Sequence, residues 1–232
     1  MALNGKELAK IVDATVINPD ATVADMEYLI EKAKEYHFGV AVGLQCYNQM
    51  LIDALQGTGI KVLGAGGMSG VTPLDTKLYM AKACVEQGCG EIESFLNVSY
   101  LKSGMYDEIV KETRAIREIA KDQVYKVILE TPLLNDEEIA TACEVLIDGG
   151  VDFVKTGTGT LGATDIHTIE VMAKAVKGRV GMKASGGIRT IETVDAMMEL
   201  GVTRFGIGLK SALKVLEAAD NRRSEERRVG KE

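Results

Sequence analysis

The 232-residue sequence predicts a single (β/α)8 barrel, on three observations. Short apolar runs of strand character alternate with amphipathic helical segments through the first 220 residues. No linker-like shift of composition divides that stretch, and this length commonly folds as one barrel. Gly88, Gly150 and Gly201 each stand just before a predicted strand, where a helix has to stop. An open, doubly wound sheet shares the alternation, but no GxGxxG opens the first βα turn.

The elements follow in order. A first strand is predicted over 11–17, and the Asn18-Pro19-Asp20 turn ends it. A helix over 22–36 places Val23, Met26, Leu29, Ile30 and Ala33 on one face, with Thr22 and Asp25 as a capping pair. Strand 39–44 and helix 48–55 come next, then strand 60–64, which runs into a glycine turn. The helix over 74–86 turns Leu74, Leu78, Ala81 and Val85 inward. The fourth strand, 90–97, holds Glu91 and Glu93 two residues apart, hence on one face. After helix 107–120 comes strand 124–130, ended by Pro132, and Asn135 caps a helix with Glu138 three residues on. Strand 151–155, helix 164–176, strand 179–183, helix 191–200, strand 203–207 and helix 211–219 complete eight alternations.

Bulk composition narrows the function. The net charge of −7 argues against a nucleic-acid or anionic membrane surface. No apolar run is long enough to span a membrane, and residues 1–17 lack the shape of a signal peptide, so a cytoplasmic protein is expected. The four cysteines form no CxxC pair and there are only two histidines, so no metal site is expected and the thiols are read as reduced. Residues 221–232 are almost all charged and show no apolar face; they are expected to be a disordered tail outside the 1–220 domain, or a non-native cloning or sequencing remnant.

The chemistry-bearing residues sit at two strand ends. Lys155 is followed by Thr156-Gly157-Thr158-Gly159-Thr160, and Lys183 by Ala184-Ser185-Gly186-Gly187. Active sites of such barrels lie at the carboxyl ends of the strands. Consecutive strands are neighbours there, so the two amines are expected to crowd each other. Burial and like-charge repulsion both lower a lysine pKa, and a neutral amine attacks a carbonyl to form a Schiff base. Glu93 or Asp13 is placed to move protons, and Lys126 to face the same mouth. The plain alternative is that strand-end lysines reach out to solvent.

At these residues the sequence resembles the deoxyribose-phosphate aldolase family over roughly 8–216. The resemblance rests on Ile11-Val12-Asp13-Ala14-Thr15, Glu91-Ile92-Glu93 with Asn97, and Lys126-Val127-Ile128-Leu129-Glu130-Thr131. It continues through Asp152-Phe153-Val154-Lys155-Thr156, Lys183-Ala184-Ser185-Gly186-Gly187-Ile188-Arg189-Thr190 and Arg204-Phe205-Gly206. It implies that Lys155 forms the imine, that Lys183 lowers its pKa, and that Glu93 stands where the family places a proton-relaying aspartate. It also implies that Asp13, Thr15, Lys126, Thr158 and Gly159 line the substrate pocket. The implied reaction is reversible cleavage of 2-deoxyribose 5-phosphate to acetaldehyde and glyceraldehyde 3-phosphate, without metal or organic cofactor. The expected partners are therefore a small aldehyde and a sugar or sugar phosphate. A homodimer through the outer helices is the assembly allowed for, although no predicted helix carries a decisive exposed apolar stripe.

The chain departs from the family pattern where phosphate is held. The family usually carries Ser-Thr-Gly after the lysine-threonine pair, with a further lysine in some members; here the stretch is Gly157-Thr158-Gly159-Thr160. One or two serines usually end the eighth strand, whereas this chain has Gly206-Ile207-Gly208-Leu209, with Lys210 and Ser211 beyond. The third-strand turn is Gly64-Ala65-Gly66-Gly67-Met68 in place of a Gly-Phe-Pro-Leu-Gly type. Backbone N–H groups of Gly186, Gly187, Gly206 and Gly208 are left to cradle an anion, with Arg189 or Lys210 supplying charge. The expected activity is a Schiff-base aldolase with a weakened preference for phosphorylated substrates. A cofactor-independent isomerase or epimerase, and a non-catalytic sugar-binding barrel, are the competing readings.

Overall fold

A computed structural model describes residues 3–64 and 69–229, with only the backbone course for 223–229. The parallel strands β1 (Val12–Thr15), β2 (Val40–Val42), β3 (Lys61–Gly64), β4 (Glu91–Phe95), β5 (Val124–Ile128), β6 (Phe153–Lys155), β7 (Gly181–Ser185) and β8 (Val202–Gly208) follow in sequence order. They close into a barrel, β8 pairing with β1. The predicted fold is the observed one. The first six strands are shorter than their apolar runs, because hydrogen-bonded pairing stops where each chain peels off toward its helix; β7 lies two residues later than the predicted 179–183, and β8 extends one residue beyond the predicted 203–207 at each end.

The helices α1 (Gly5–Ala9), α2 (Val23–Tyr36), α3 (Asn48–Leu55), α4 (Leu74–Gln87), α5 (Val98–Lys102), α6 (Tyr106–Ile119), α7 (Asp136–Asp148), α8 (Ile166–Val176), α9 (Ile191–Glu199) and α10 (Leu209–Val229) surround it. Reciprocal capping boxes start α2 at Thr22 with Asp25 and α7 at Asn135 with Glu138, each at its expected site. Gly88 ends α4 in the left-handed region at φ 96°, where a side chain is strained. Two short helices were not expected. α1 is started by an Asn4–Glu7 capping box and tied to α10 through Gly5 N–H donating to Asp220. α5 is capped by Asn97.

The outer core, between barrel and helices, is built from residues such as Leu8, Leu29, Ile92, Ile116, Met172, Val194 and Phe205, all essentially inaccessible to solvent. α4 departs from its expected face: Lys77, Ala81 and Cys84 are the buried positions, while Leu78 and Val85 are only partly covered. Lys77 is tolerated there because its ammonium pairs with Glu112 on α6 and donates to the Gly70 carbonyl. Part of the stretch expected as a disordered tail is helix. α10 continues to Val229, and Arg222 pairs with Asp195 and donates to the Leu3 carbonyl. Glu and Arg are good helix formers, and the helix is already nucleated by its packed half. Residues 230–232 and the altered turn at 65–68, Met68 included, lie outside the described residues.

Candidate active site

Period-two alternation selects which side chains enter the barrel. On β1 the inward residues are Asp13 and Thr15, on β4 Glu91 and Glu93, on β5 Lys126, on β6 Lys155, on β7 Lys183 and on β8 Arg204. Lys155 and Lys183 are directly paired in register. Lys155 closes its strand as expected, whereas Lys183 sits mid-strand, two residues before the end of β7. A bulge between Met182 and Lys183 skips one residue of β8, so Lys183 stands beside Arg204; bulges re-aim side chains in this way. Gly206 leaves the room this requires: a Cβ there would meet Ser185 Cβ at 2.9 Å and Lys183 Cε at 3.2 Å.

One carboxylate joins the two lysines. Lys155 Nζ donates to Glu93 Oε1 at 2.6 Å and Lys183 Nζ to Glu93 Oε2 at 2.9 Å. Lys183 also pairs with Asp13 Oδ2 at 2.5 Å. Below, Lys126 Nζ donates to Asp13 Oδ2 at 2.7 Å and pairs with Glu91. Arg204 reaches Asp13 Oδ1 at 3.1 Å and Glu91 Oε1 at 3.4 Å. Four cations thus face three carboxylates in a buried ladder. Removing one proton balances it, and the best place is the lysine at the cavity end.

The titration of each group follows from its neighbours. Burial is the first cause that lowers Lys155, to about 8 from 10.5; the charges on Lys183 and Lys126 add to it, and the Glu93 carboxylate opposes. For Lys183 burial also disfavours the charge, but Asp13 and Glu93 overcome it and hold the ammonium above the usual lysine range. Burial works to raise Glu93, yet Lys155, Lys183 and Lys126 outweigh it and bring the acid to about 2. Asp13 is likewise held below the ordinary carboxylate range against its burial, by Lys126, Lys183 and Arg204. The resting site therefore pairs a protonated Lys183 and an ionised Glu93 with a Lys155 that is partly neutral near pH 7. Burial, rather than the neighbouring Lys183 charge, is the larger cause of the Lys155 shift.

A cavity of about 760 Å³ opens above the ladder. Lys155, Lys183 and Glu93 form its floor, and Thr15, Thr158, Gly186, Gly187, Gly206 and Gly208 line it with Lys210 and Ser211. Three side chains expected in the lining are elsewhere. Asp13 and Lys126 are fully buried one layer below, because each lies two residues before the inward residue nearest the mouth, Thr15 or Ile128. Arg189 is exposed and outside the cavity, since Ile188 takes the inward position at that turn. Gly159, also expected in the lining, is not among the residues that line the cavity; it packs behind it, where at φ 86° a Cβ would lie 2.9 Å from the Gly186 Cα. Thr156 locks the two lysine strands, its hydroxyl donating to the Ser185 carbonyl and accepting from the Ser185 N–H.

Sequence reasoning assigned no role to Arg204 or Glu91, which anchor the bottom of the ladder. Arg204 lay inside a quoted segment, and Glu91 shares the Glu93 face, so the inward parity was the available signal. Replacing Asp13 by alanine leaves Lys126, Lys183 and Arg204 short of a counter-charge in the interior. Denaturant unfolding is expected to show a loss of about 3–5 kcal/mol.

The closed parallel barrel thus ends in a cavity whose floor holds two lysines on one shared carboxylate. A family model described as DeoC/LacD family aldolase matches residues 7–216, and the chain belongs to that family: it is an aldolase, an aldehyde-lyase. A protein of Clostridium novyi (strain NT) named deoxyribose-phosphate aldolase is 38% identical over 213 residues, covering 90% of this chain and 95% of the relative. The crystal structure of a putative deoxyribose-phosphate aldolase from Coccidioides immitis superimposes with a TM-score of 0.87 at 32% identity, covering 94% of this chain and 87% of that one. The deoxyribose phosphate aldolase of Aeropyrum pernix, described as having a unique tetrameric structure, gives 0.83 at 30% identity, covering 93% and 92%.

Proposed function

We propose that the chain is a Schiff-base aldolase that cleaves and forms 2-deoxyribose 5-phosphate or a related deoxy sugar, with acetaldehyde as the carbonyl bound to Lys155. The observation that carries this reading is the Glu93 carboxylate shared between a lysine held near pKa 8 and a lysine held protonated. The names of the relatives support the substrate class.

The steps follow from the charges. Neutral Lys155 Nζ adds to the aldehyde carbon, and its proton passes to the carbonyl oxygen through Glu93 and the ammonium of Lys183. Loss of water leaves an iminium whose positive nitrogen faces Glu93 Oε1, a preformed anion at the place where charge develops. Burial and the nearby Lys183 ammonium disfavour that cation, so the Glu93 carboxylate takes a proton from the adjacent carbon, to give it back to the oxygen of the second aldehyde, and the electron pair is held as an enamine. The enamine carbon attacks the second aldehyde, forming the new C–C bond, and water then releases the product from the lysine. Cleavage runs the same steps backwards.

The phosphate end of the cavity is weakly provided. Among the described residues that line it, Lys210 is the cation beyond the two catalytic lysines, and the carboxylates of Asp20 and Asp25 line the same cavity, Asp25 close enough to feel the Lys210 charge. Loss of one charge-assisted hydrogen bond costs about 1.5–3 kcal/mol, on the order of tenfold to a hundredfold in affinity. The ratio of kcat/KM for 2-deoxyribose 5-phosphate over 2-deoxyribose is therefore expected to be lower by about that factor than in a family member with a lysine after Ser-Thr-Gly. An equal ratio, measured side by side, contradicts the weakened clamp; no cleavage of either sugar contradicts the aldolase assignment to this substrate class. A homo-oligomer is part of the proposal, on the tetrameric relative, and sedimentation velocity tests it.

A further inference from the structure

Glu130 belongs to no step described above, yet it is buried beside the catalytic loop. The chain turns at Glu130 in the left-handed region, φ 57°, which is uncommon for a residue with a side chain. The turn carries the carboxylate back onto the loop that follows Lys155. Its Oε1 accepts the Thr158 N–H at 3.1 Å, and its Oε2 accepts the Thr158 hydroxyl at 3.0 Å. Gly157 makes this approach possible: a Cβ at 157 would stand 2.9 Å from Glu130 Oε1.

The consequence concerns the one proton of the Thr158 hydroxyl. A carboxylate only accepts, so that proton is committed to Glu130. The Thr160 N–H, 3.1 Å away, takes one lone pair of the same oxygen. What Thr158 presents to the cavity is a single acceptor site and a methyl group. Two other lining hydroxyls are committed in the same sense: Thr15 donates to the Asp13 carbonyl at 3.0 Å, and Ser185 donates to the Gly157 carbonyl. These three hydroxyls reward a ligand that donates, such as a sugar hydroxyl, and offer no proton to a phosphate oxygen.

We propose that Glu130 is a specificity-determining positioning residue: it fixes the Thr158 hydroxyl as an acceptor, so that the cavity selects an aldehyde partner carrying its own hydroxyl groups. The inference rests on the aldolase reading of the same cavity. Glu130→Gln is nearly the same shape, but its amide N–H2 donates to the Thr158 oxygen and releases the hydroxyl proton toward the cavity.

The test is condensation with acetaldehyde as donor and either glyceraldehyde or propanal as acceptor, three-carbon aldehydes with and without hydroxyls. The unsubstituted enzyme is expected to favour glyceraldehyde in kcat/KM by about tenfold, the worth of one good hydrogen bond. Glu130→Gln and Thr158→Val should each reduce that ratio at least about threefold, and Glu130→Gln should change it no further once Thr158 is valine. Equal losses on both acceptors, or a further change in the valine background, overturn the proposal. Borohydride trapping with acetaldehyde, which has no hydroxyl, reports the lysine separately. An unsubstituted protein that forms no adduct defeats the aldolase reading itself; one that forms it while Glu130→Gln leaves the acceptor ratio unchanged defeats only the role of Glu130.

Discussion

Replacing Lys155 by leucine should reduce aldol cleavage by at least ~10⁴-fold, the scale on which removal of a covalent nucleophile acts. Neither Lys183 nor Lys126 can take over. Lys183 is held protonated between Asp13 and Glu93, and Lys126 is fully buried beneath the cavity between Asp13 and Glu91. The fold should survive, because leucine removes a buried amine without adding volume, and Glu93 keeps Lys183 as a partner. A steady-state assay beside a thermal melt separates lost chemistry from lost structure. Residual turnover within about tenfold of the original would place the nucleophile elsewhere.

Glu93→Gln should lower kcat by about 10²–10⁴-fold, the usual range for a group that moves protons in the transition state. It should also displace the pH profile in a direction that can be worked out beforehand. In the proposed mechanism neutral Lys155 is the reactive form, so the rate should rise with pH through about 8. The Glu93 charge favours protonated Lys155; removing it should move the rising limb below 8. The Lys183 charge has the opposite effect, so Lys183→Leu should move the limb above 8. Displacement of both limbs in one direction would contradict the electrostatic account. The same carboxylate bears on stability. Its folded pKa, about 2, lies below its ordinary 4.5, so its stabilising contribution is complete above about pH 4.5 and is lost as pH falls through 2.

The barrel was legible because two periodicities were clear. The strands read as short apolar runs and the helices as 3.6-residue stripes, with caps such as Thr22 and Asn135 marking their starts. The lysines on β6 and β7 were legible because an amine inside an apolar run conflicts with its surroundings. The depth of each inward residue was not. Asp13 and Thr15 share a face of β1, but only the stagger of the closed barrel shows that Thr15 meets the cavity while Asp13 lies beneath it. Local pattern also failed at Lys77, where a partner 35 residues away stabilises a buried ammonium on α4. Glu130 was hidden for a related reason, since its effect depends on a left-handed turn and on the missing side chain of Gly157.

Borohydride reduction in the presence of acetaldehyde, followed by peptide mapping, tests most directly whether the amine of Lys155 is the uncharged nucleophile. One reduced adduct is expected per chain, on the peptide containing Lys155, forming faster as the pH is raised from 6 through about 8 and levelling above it. An adduct on Lys183, or none on a folded protein, would contradict the account.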